Sequence, residues 1–472
     1  MSLGSRFYRQ KGRVTMDENE LMGSMKVSKA VAKMAIPSVI SSLVTVVYNM
    51  ADTFFVGQTG DPLQVAAVSL TNPIFILFMA FANMFGMGGS AAASMALGEK
   101  KEKRVKQVSS FITYASLIVG IVFAAILLVG MQPVLQLFGA DADTYELAKG
   151  YTTYISYGAP FIIWSAAASF VVRADGASRE AMTGSMIGTV ANIILDPIFI
   201  SGFGMGAAGA AIATTIGNIM ASVYYLWYFC RKSRNMSMAF RYFKCGDRIL
   251  SQVCSAGLPT AIFSALMSIS TIILNQILVA YGNAPVAAIG IVFKANMFIT
   301  FLQMGLANGV QPLLGYSYGA GNRERFITVE RYTKKCRLIV GVLATALFFF
   351  FREPIIRLFI SDTEVINYGV EMLIAYMISG PVIGILFMNM NCMQSTGNAL
   401  PATILSILRQ GVLLIPVLYG LNALLGLRGV IYGQALTDYV AVLLSIVICG
   451  GNAGKLYRRK WSGCLFHRLV LC

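Results

Sequence analysis

A protein helix needs about 20 apolar residues to cross about 30 Å of hydrocarbon. This chain offers twelve such runs, at 34–57, 64–97, 108–133, 146–172, 182–202, 206–230, 251–281, 285–318, 338–351 with its flanks, 365–393, 402–421 and 429–453. In lipid each backbone N–H and C=O must be satisfied within the segment, and for runs of this length the helix is the element that does so. The expected fold class is therefore an all-α polytopic membrane protein. Several runs exceed 25 residues and are expected to tilt, bend or end in interfacial turns. The ninth is short where it is free of charge, and its helix is expected to begin near Tyr332. Charged residues make up only 12% of the 472 positions, against about 25% in soluble domains. An ordinary soluble enzyme, a disordered chain and a disulfide scaffold are all excluded.

The net charge of +16 is a matter of placement. Of the 37 lysines and arginines, all but Lys149, Lys294, Arg352, Arg357, Arg409 and Arg428 fall in alternate connections, 1–33, 98–107, 173–183, 231–248, 319–337 and 452–472. That asymmetry predicts a cytoplasmic-membrane protein with both termini inside. It also removes nucleic acid as a partner, because the basic residues are spread over short loops without a recognition module. The first 25 residues are polar and mixed in charge, unlike a cleaved signal peptide. The one histidine, His467, excludes histidine metal sites and Ser-His-Asp chemistry. The eight cysteines include no CxxC pair, and read as small apolar residues.

The chain repeats with a period of about 221. Val65-Ala66-Ala67-Val68 returns as Val286-Ala287-Ala288-Ile289. Gly88, Gly98, Arg104, Pro133, Phe138, Asp141, Pro160 and Gly176 return as Gly309, Gly319, Arg325, Pro354, Phe359, Asp362, Pro381 and Gly397, and Pro37 returns one residue later as Pro259. Six spans per half means parallel repeats, related by an axis along the membrane normal, with a substrate site between them. The expected organisation is a cytoplasmic segment 1–27, an N-lobe 28–230, a basic linker 231–250, a C-lobe 251–453 and a tail 454–472.

Differences between the halves locate candidate chemistry. Asp52 lies deep in the first span, where the second half offers Leu274 or Asn275. Asp196 lies deep in the fifth, where the second half has Pro416 and no acid. An acid within hydrocarbon costs about 2.5–3.5 kcal/mol on insertion scales, so two in one half point to a cation or proton site. Tyr48 and Asp52 share a helix face, as do Asn192 and Asp196. Pro197 lacks an N–H and frees the carbonyl of Ile193 as a further oxygen. Facing carboxylates would couple their titrations.

The segments IPSVISSLVTVVYNMADTFFVG (36–57) and NIILDPIFISGFGMGAAGAAIAT (192–214) resemble the multidrug and toxic compound extrusion (MATE) family, and the likeness covers about residues 28–455. The resemblance implies two six-helix bundles around a central cavity. It also implies drug export driven by inward H+ or Na+, without other cofactors. Onto this sequence it carries an N-lobe ion site at Tyr48, Asp52, Asn192, Asp196 and Thr214, with possible Na+ ligands at Asp52, Asn192, Asp196 and Thr214, and a helix-bending role for Pro37. Family members with acids in the seventh and tenth helices are not matched, since 251–281 holds no acid. No polar partner is evident on the fourth helix at SAAASF (165–170).

In the C-half, Asn275, Lys294, Met304 and Arg409 are candidates for the substrate cavity, with Asp438 as a counter-ion for Arg409. Methionines 84, 87, 304, 388, 390 and 393 suit an adaptable lining. The expected partners are amphipathic, mostly cationic small molecules and the bilayer, and a monomer is expected. Nucleotides are not, because GxxxxGK[ST] is missing and the Gly204/Gly206/Gly209 pattern lies between apolar spans. A flippase of a lipid-linked precursor is the alternative with this architecture. A membrane enzyme would need a clustered catalytic set that the sequence does not offer.

Overall fold

The computed structural model describes residues 20–58 and 61–460, and the tail 461–472, with His467, lies outside them. The described residues form helices α1 (Val27–Gly57), α2 (Pro62–Gly98), α3 (Glu102–Val129), α4 (Met131–Leu137), α5 (Tyr145–Ala174), α6 (Ser178–Pro197) and α7 (Gly206–Arg231). The second half follows with α8 (Ile249–Val279), α9 (Asn283–Gly319), α10 (Arg323–Phe350), α11 (Arg352–Arg357), α12 (Thr363–Ile378), α13 (Gly380–Ser395), α14 (Ala399–Ile407), α15 (Leu414–Leu425) and α16 (Leu427–Lys460). No strand occurs among the described residues. Ten helices are long and apolar enough to cross a membrane, or eleven when α12 and α13, bent by 45°, count as one span. The remaining expected span is α10, which carries Arg331, Lys334, Lys335 and Arg337 up to its middle.

The repeat is visible in helix lengths. Helices α1 and α8 both have 31 residues, α2 and α9 have 37, and α3 and α10 have 28. The short α4 and α11 occupy equivalent places after α3 and α10. Asp141 and Asp362, a matched pair, each accept a backbone N–H at the start of the following helix, from Thr144 at 2.9 Å and Val365 at 3.0 Å. The Thr144 hydroxyl, and then the Thr144 N–H, hold the Asp141 carboxyl below the usual carboxylate range.

The lobes meet toward the end that carries the basic connections. A Cβ on Gly98 would lie 2.2 Å from the Tyr316 carbonyl oxygen, and one on Gly319 would lie 2.1 Å from that of Met95. Tyr316 and Met95 are themselves 221 residues apart, so the two contacts are images of each other. Only glycine admits backbones this close. The entry to α1 sits in an apolar cluster with the C-lobe, where Leu21, Met22, Val31 and Met34 meet Leu313, Leu314, Phe326 and Met388. Reciprocally, Ile249 and Val253 of α8 belong to the N-lobe core. The connection between α7 and α8 is strapped to α3. There the Ser237 N–H donates to the Ser109 hydroxyl at 3.0 Å and the Tyr114 hydroxyl to the Met238 carbonyl at 3.0 Å.

Candidate functional site

The fifth span is shaped by its proline. Helix α6 ends at Pro197 and continues as one π-helical turn, Ile198–Gly202. Such wide turns free backbone groups and often mark functional positions. The Gly204/Gly206/Gly209 stretch then makes the turn into α7, with positive φ at Gly204 and Gly206. The Ala207 N–H is held there by the Gln64 side-chain oxygen at 2.8 Å.

Above this turn four of the five N-lobe residues expected from the sequence are joined in one chain. Tyr48 of α1 shares a hydrogen bond with the Thr214 hydroxyl of α7 at 3.2 Å. The Asn192 amide is oriented by its neighbours. Its oxygen accepts from the Thr214 hydroxyl at 3.1 Å and the Thr214 N–H at 2.9 Å, and its nitrogen donates to Asp196 Oδ2 at 2.9 Å. Donors thus run in one direction, from Tyr48 to the carboxylate. Asp196 is fully buried, and its other oxygen, Oδ1, has no hydrogen-bond partner. Asp52, one turn beyond Tyr48 and half-buried, lies within electrostatic reach of Asp196, Tyr48 and Tyr151.

The fourth span does contribute, which corrects the expectation from SAAASF. Ser165 of α5 donates to the Asn218 side-chain oxygen at 2.9 Å, and the Asn218 amide donates to the Thr214 carbonyl at 2.8 Å. Tyr151, also on α5, packs beside Val56, Ile200 and Ala210. Asn218 could have been found, being one helical turn from Thr214 on the same face. Pro37 sits elsewhere, where α1 crosses α9: Cβ atoms on Gly305 and Gly309 would be 2.7 Å from the Cα atoms of Val39 and Ala35.

The C-lobe arrangement is different. Arg409 occupies a second π-helical turn, Leu408–Leu413. It donates to Asp438 at 2.8 Å, Gln434 donates to the same oxygen at 3.0 Å, and both charged side chains are buried. The guanidinium also lies over the rings of Phe263 and Phe387, at 5.3 and 5.6 Å. These rings line a cleft of about 50 Å³ with Met87, Met304, Asn308 and Met390. Met304 lines this cleft, and Arg409 backs it through the two rings. Asn275, half-buried, and Lys294, exposed, do not line it. Arg337 is the cation whose setting differs from its grouping in the sequence. It groups with loop charges in the sequence but is fully buried, its Nε donating to the Gln303 side-chain oxygen at 3.1 Å.

Two pseudo-symmetric helical lobes, a buried acidic network in one and an apolar cleft in the other that Met87 of the first lobe also lines, fit a membrane transporter built from two repeats. The MatE family model matches residues 37–198 and 259–419, one stretch in each lobe, and the chain belongs to this family. It is similar to the multidrug export protein MepA of Staphylococcus saprophyticus, with 32% identity over 422 residues, 89% of this chain and 93% of that protein. A structure described as MATE in complex with MaL6 superposes with a TM-score of 0.89 at 25% identity, covering 93% of this chain and 99% of that one. An outward-facing multidrug resistance MATE transporter of the MOP superfamily superposes with a TM-score of 0.85 at 25% identity, covering 93% and 98%. These relatives are transporters, not enzymes.

Proposed function

We propose that the chain is a secondary active multidrug efflux antiporter of the cytoplasmic membrane, with both termini inside. It exports amphipathic, mostly cationic small molecules in exchange for an inward ion bound in the N-lobe. The observation that carries the reading is Asp196: a fully buried carboxylate with one oxygen at the end of a donor chain and the other without a partner. A buried acid so placed is a functional group by default. The ion is H+. Sodium wants several free oxygens, and those of Tyr48, Thr214 and Asn192 are already engaged with one another. A proton needs one, and it relieves the repulsion between Asp52 and Asp196. The MepA relative, named as a multidrug exporter, supports the substrate class. So does a cleft of aromatic and methionine side chains that can repack around varied cations.

In the cycle, the drug occupies the cleft and leaves on the outer side. A proton then binds Asp196, the Tyr48–Thr214–Asn192 chain reorganises, and α1 transmits the change to Pro37 at its crossing with α9. Ion and drug must favour different states, since a ligand with equal affinity for both shifts nothing. One charge moving down 100 mV supplies about 2.3 kcal/mol. The test is ethidium efflux from proteoliposomes under separate pH and Na+ gradients, for the wild type, Asp52→Asn and Asp196→Asn. Efflux should follow the pH gradient and vanish in both variants. Efflux following Na+ alone would overturn the proton assignment, and efflux untouched by either substitution would overturn the site.

A further inference from the structure

The arginines Arg104 and Arg325 are 221 residues apart, and each is the third residue of a matched helix, α3 or α10. Neither belongs to the ion network or the cleft. Arg325 reaches across to the segment before α1. Its Nε donates to the Met22 carbonyl at 2.8 Å, Nη1 to that of Met25 at 2.7 Å and Nη2 to that of Leu21 at 3.1 Å. Arg104 reaches across to the entry of α8, Nη1 donating to the Asp247 carbonyl at 2.8 Å and Nη2 to the Gln252 side-chain oxygen at 3.2 Å. Each lobe thus grips the start of the other lobe's first helix, beside the apolar contacts described above. Gly23 rests on Tyr316, where a Cβ would be 3.4 Å from the ring hydroxyl.

We infer that Arg104 and Arg325 are reciprocal clasps, positioning residues that hold the lobes closed at the end carrying the basic connections and that must release when this end opens. The inference rests on the alternating-access reading, but not on which ion drives it. Only arginine has the planar fork that can serve several carbonyls at once, and its bonds are charge-assisted. Carbonyl acceptors carry no net charge, so release leaves no buried counter-ion behind. The clasps are unequal: Arg325 holds three backbone carbonyls, Arg104 one carbonyl and one side-chain amide. Loss of Arg325 should open the end more.

Two native cysteines report on this closure. Cys392 is buried in the cluster beneath the Arg325 clasp. Cys254 packs against the N-lobe core near the Arg104 clasp. The full-length chain, in nanodiscs, would retain one of them with every other cysteine replaced by serine, and alkylation by a water-soluble maleimide would be timed. Arg325→Ala should accelerate both reporters, about tenfold for Cys392, and Arg104→Ala should accelerate both by less. Arg325→Lys should behave nearly as Ala, since the three carbonyls are each met by a different nitrogen of the guanidinium and a single ammonium nitrogen does not reproduce that spacing. Acceleration of Cys392 alone would mean fraying of the N-terminal segment and would overturn the clasp as a closure device. Unchanged rates in both variants would overturn it outright. If Arg325→Ala fails to fold, Arg104→Ala with both reporters decides the matter. The rates need neither drug nor gradient, so they stand apart from coupling at Asp196.

Discussion

The N-lobe and the C-lobe share helix lengths over their first three long helices, yet they treat a buried carboxylate in opposite ways. In the N-lobe, Asp196 faces neutral donors and another acid, and one of its oxygens has no partner. In the C-lobe, Asp438 is closed off by Arg409 and Gln434. The first arrangement changes character when an ion arrives, while the second is already neutral overall. The difference teaches that two halves with one frame can diverge in their buried charge: one lobe holds an acid with an unpartnered oxygen, the proposed ion site, and the other an ion pair behind aromatic rings.

The strongest way to break this comparison is to neutralise each acid in turn. Asp196→Asn should reduce gradient-driven efflux to the level of empty liposomes while the protein stays folded. Asp438→Asn should leave the choice of driving gradient unchanged. If the Asp438 variant loses coupling and the Asp196 variant keeps it, the assignment of roles is reversed.

Next in size is the ion pair itself. Arg409→Ala leaves a buried carboxylate uncompensated, and breaking a buried pair in this way costs about 3–5 kcal/mol. A large drop in melting temperature in detergent is expected. The double variant Arg409→Met with Asp438→Leu should recover most of it, because both charges are then gone and the volume is kept. A double variant as unstable as the single one would show that the pair's geometry, not its charge balance, holds α14 to α16.

The lobe contact offers a test of symmetry. Gly98→Ala and Gly319→Ala place a Cβ against equivalent carbonyls at 2.2 and 2.1 Å. Each should cost about 1–3 kcal/mol by overpacking, and the two melting shifts should match. Unequal shifts would show that the lobes, though similar in frame, relax differently at their crossing.

Much of this was legible in the sequence, and the gaps have physical causes. The spans and the period of 221 follow from apolar runs and from glycines and prolines whose backbones are fixed by geometry. Four site residues were legible because an acid in hydrocarbon stands out and its i, i+4 neighbours are implied. Ser165 and Tyr151 were not, since hydroxyls are tolerated on many buried helix faces and carry no charge, and Asn218 is marked only by its spacing of one turn from Thr214. Arg337 hid because Lys334 and Lys335 beside it group it with the basic connection 319–337, although the expected helix already begins near Tyr332 and all three lie within α10. The tenth span's 45° bend was equally silent: Pro381 there follows a break at Ser379, while its counterpart Pro160 lies within the unbroken α5.

The smallest expected effect sharpens the account of the N-lobe most. Thr214 links Tyr48 to Asn192, and its hydroxyl is the sole connection between α1 and the rest of the donor chain among the described bonds. Thr214→Val keeps the shape, removes the hydroxyl with its bonds to Tyr48 and Asn192, and leaves Asn192 oriented by the Thr214 N–H and by Asp196. The loss of these two buried bonds is worth about 1–3 kcal/mol, so efflux at a fixed pH gradient should fall about tenfold or more and not to zero. Thr214→Ser should restore it, since the hydroxyl returns without the methyl. Tyr48→Phe should resemble Thr214→Val if the chain acts as a unit, and the double variant should then be no worse than either single one. Additive losses would instead mean that Tyr48 and Thr214 act on the ion separately. Among the described residues only Arg409 and Gln434 donate to Asp438 and no such chain runs into it, so substitutions around that acid should show no comparable non-additivity in efflux.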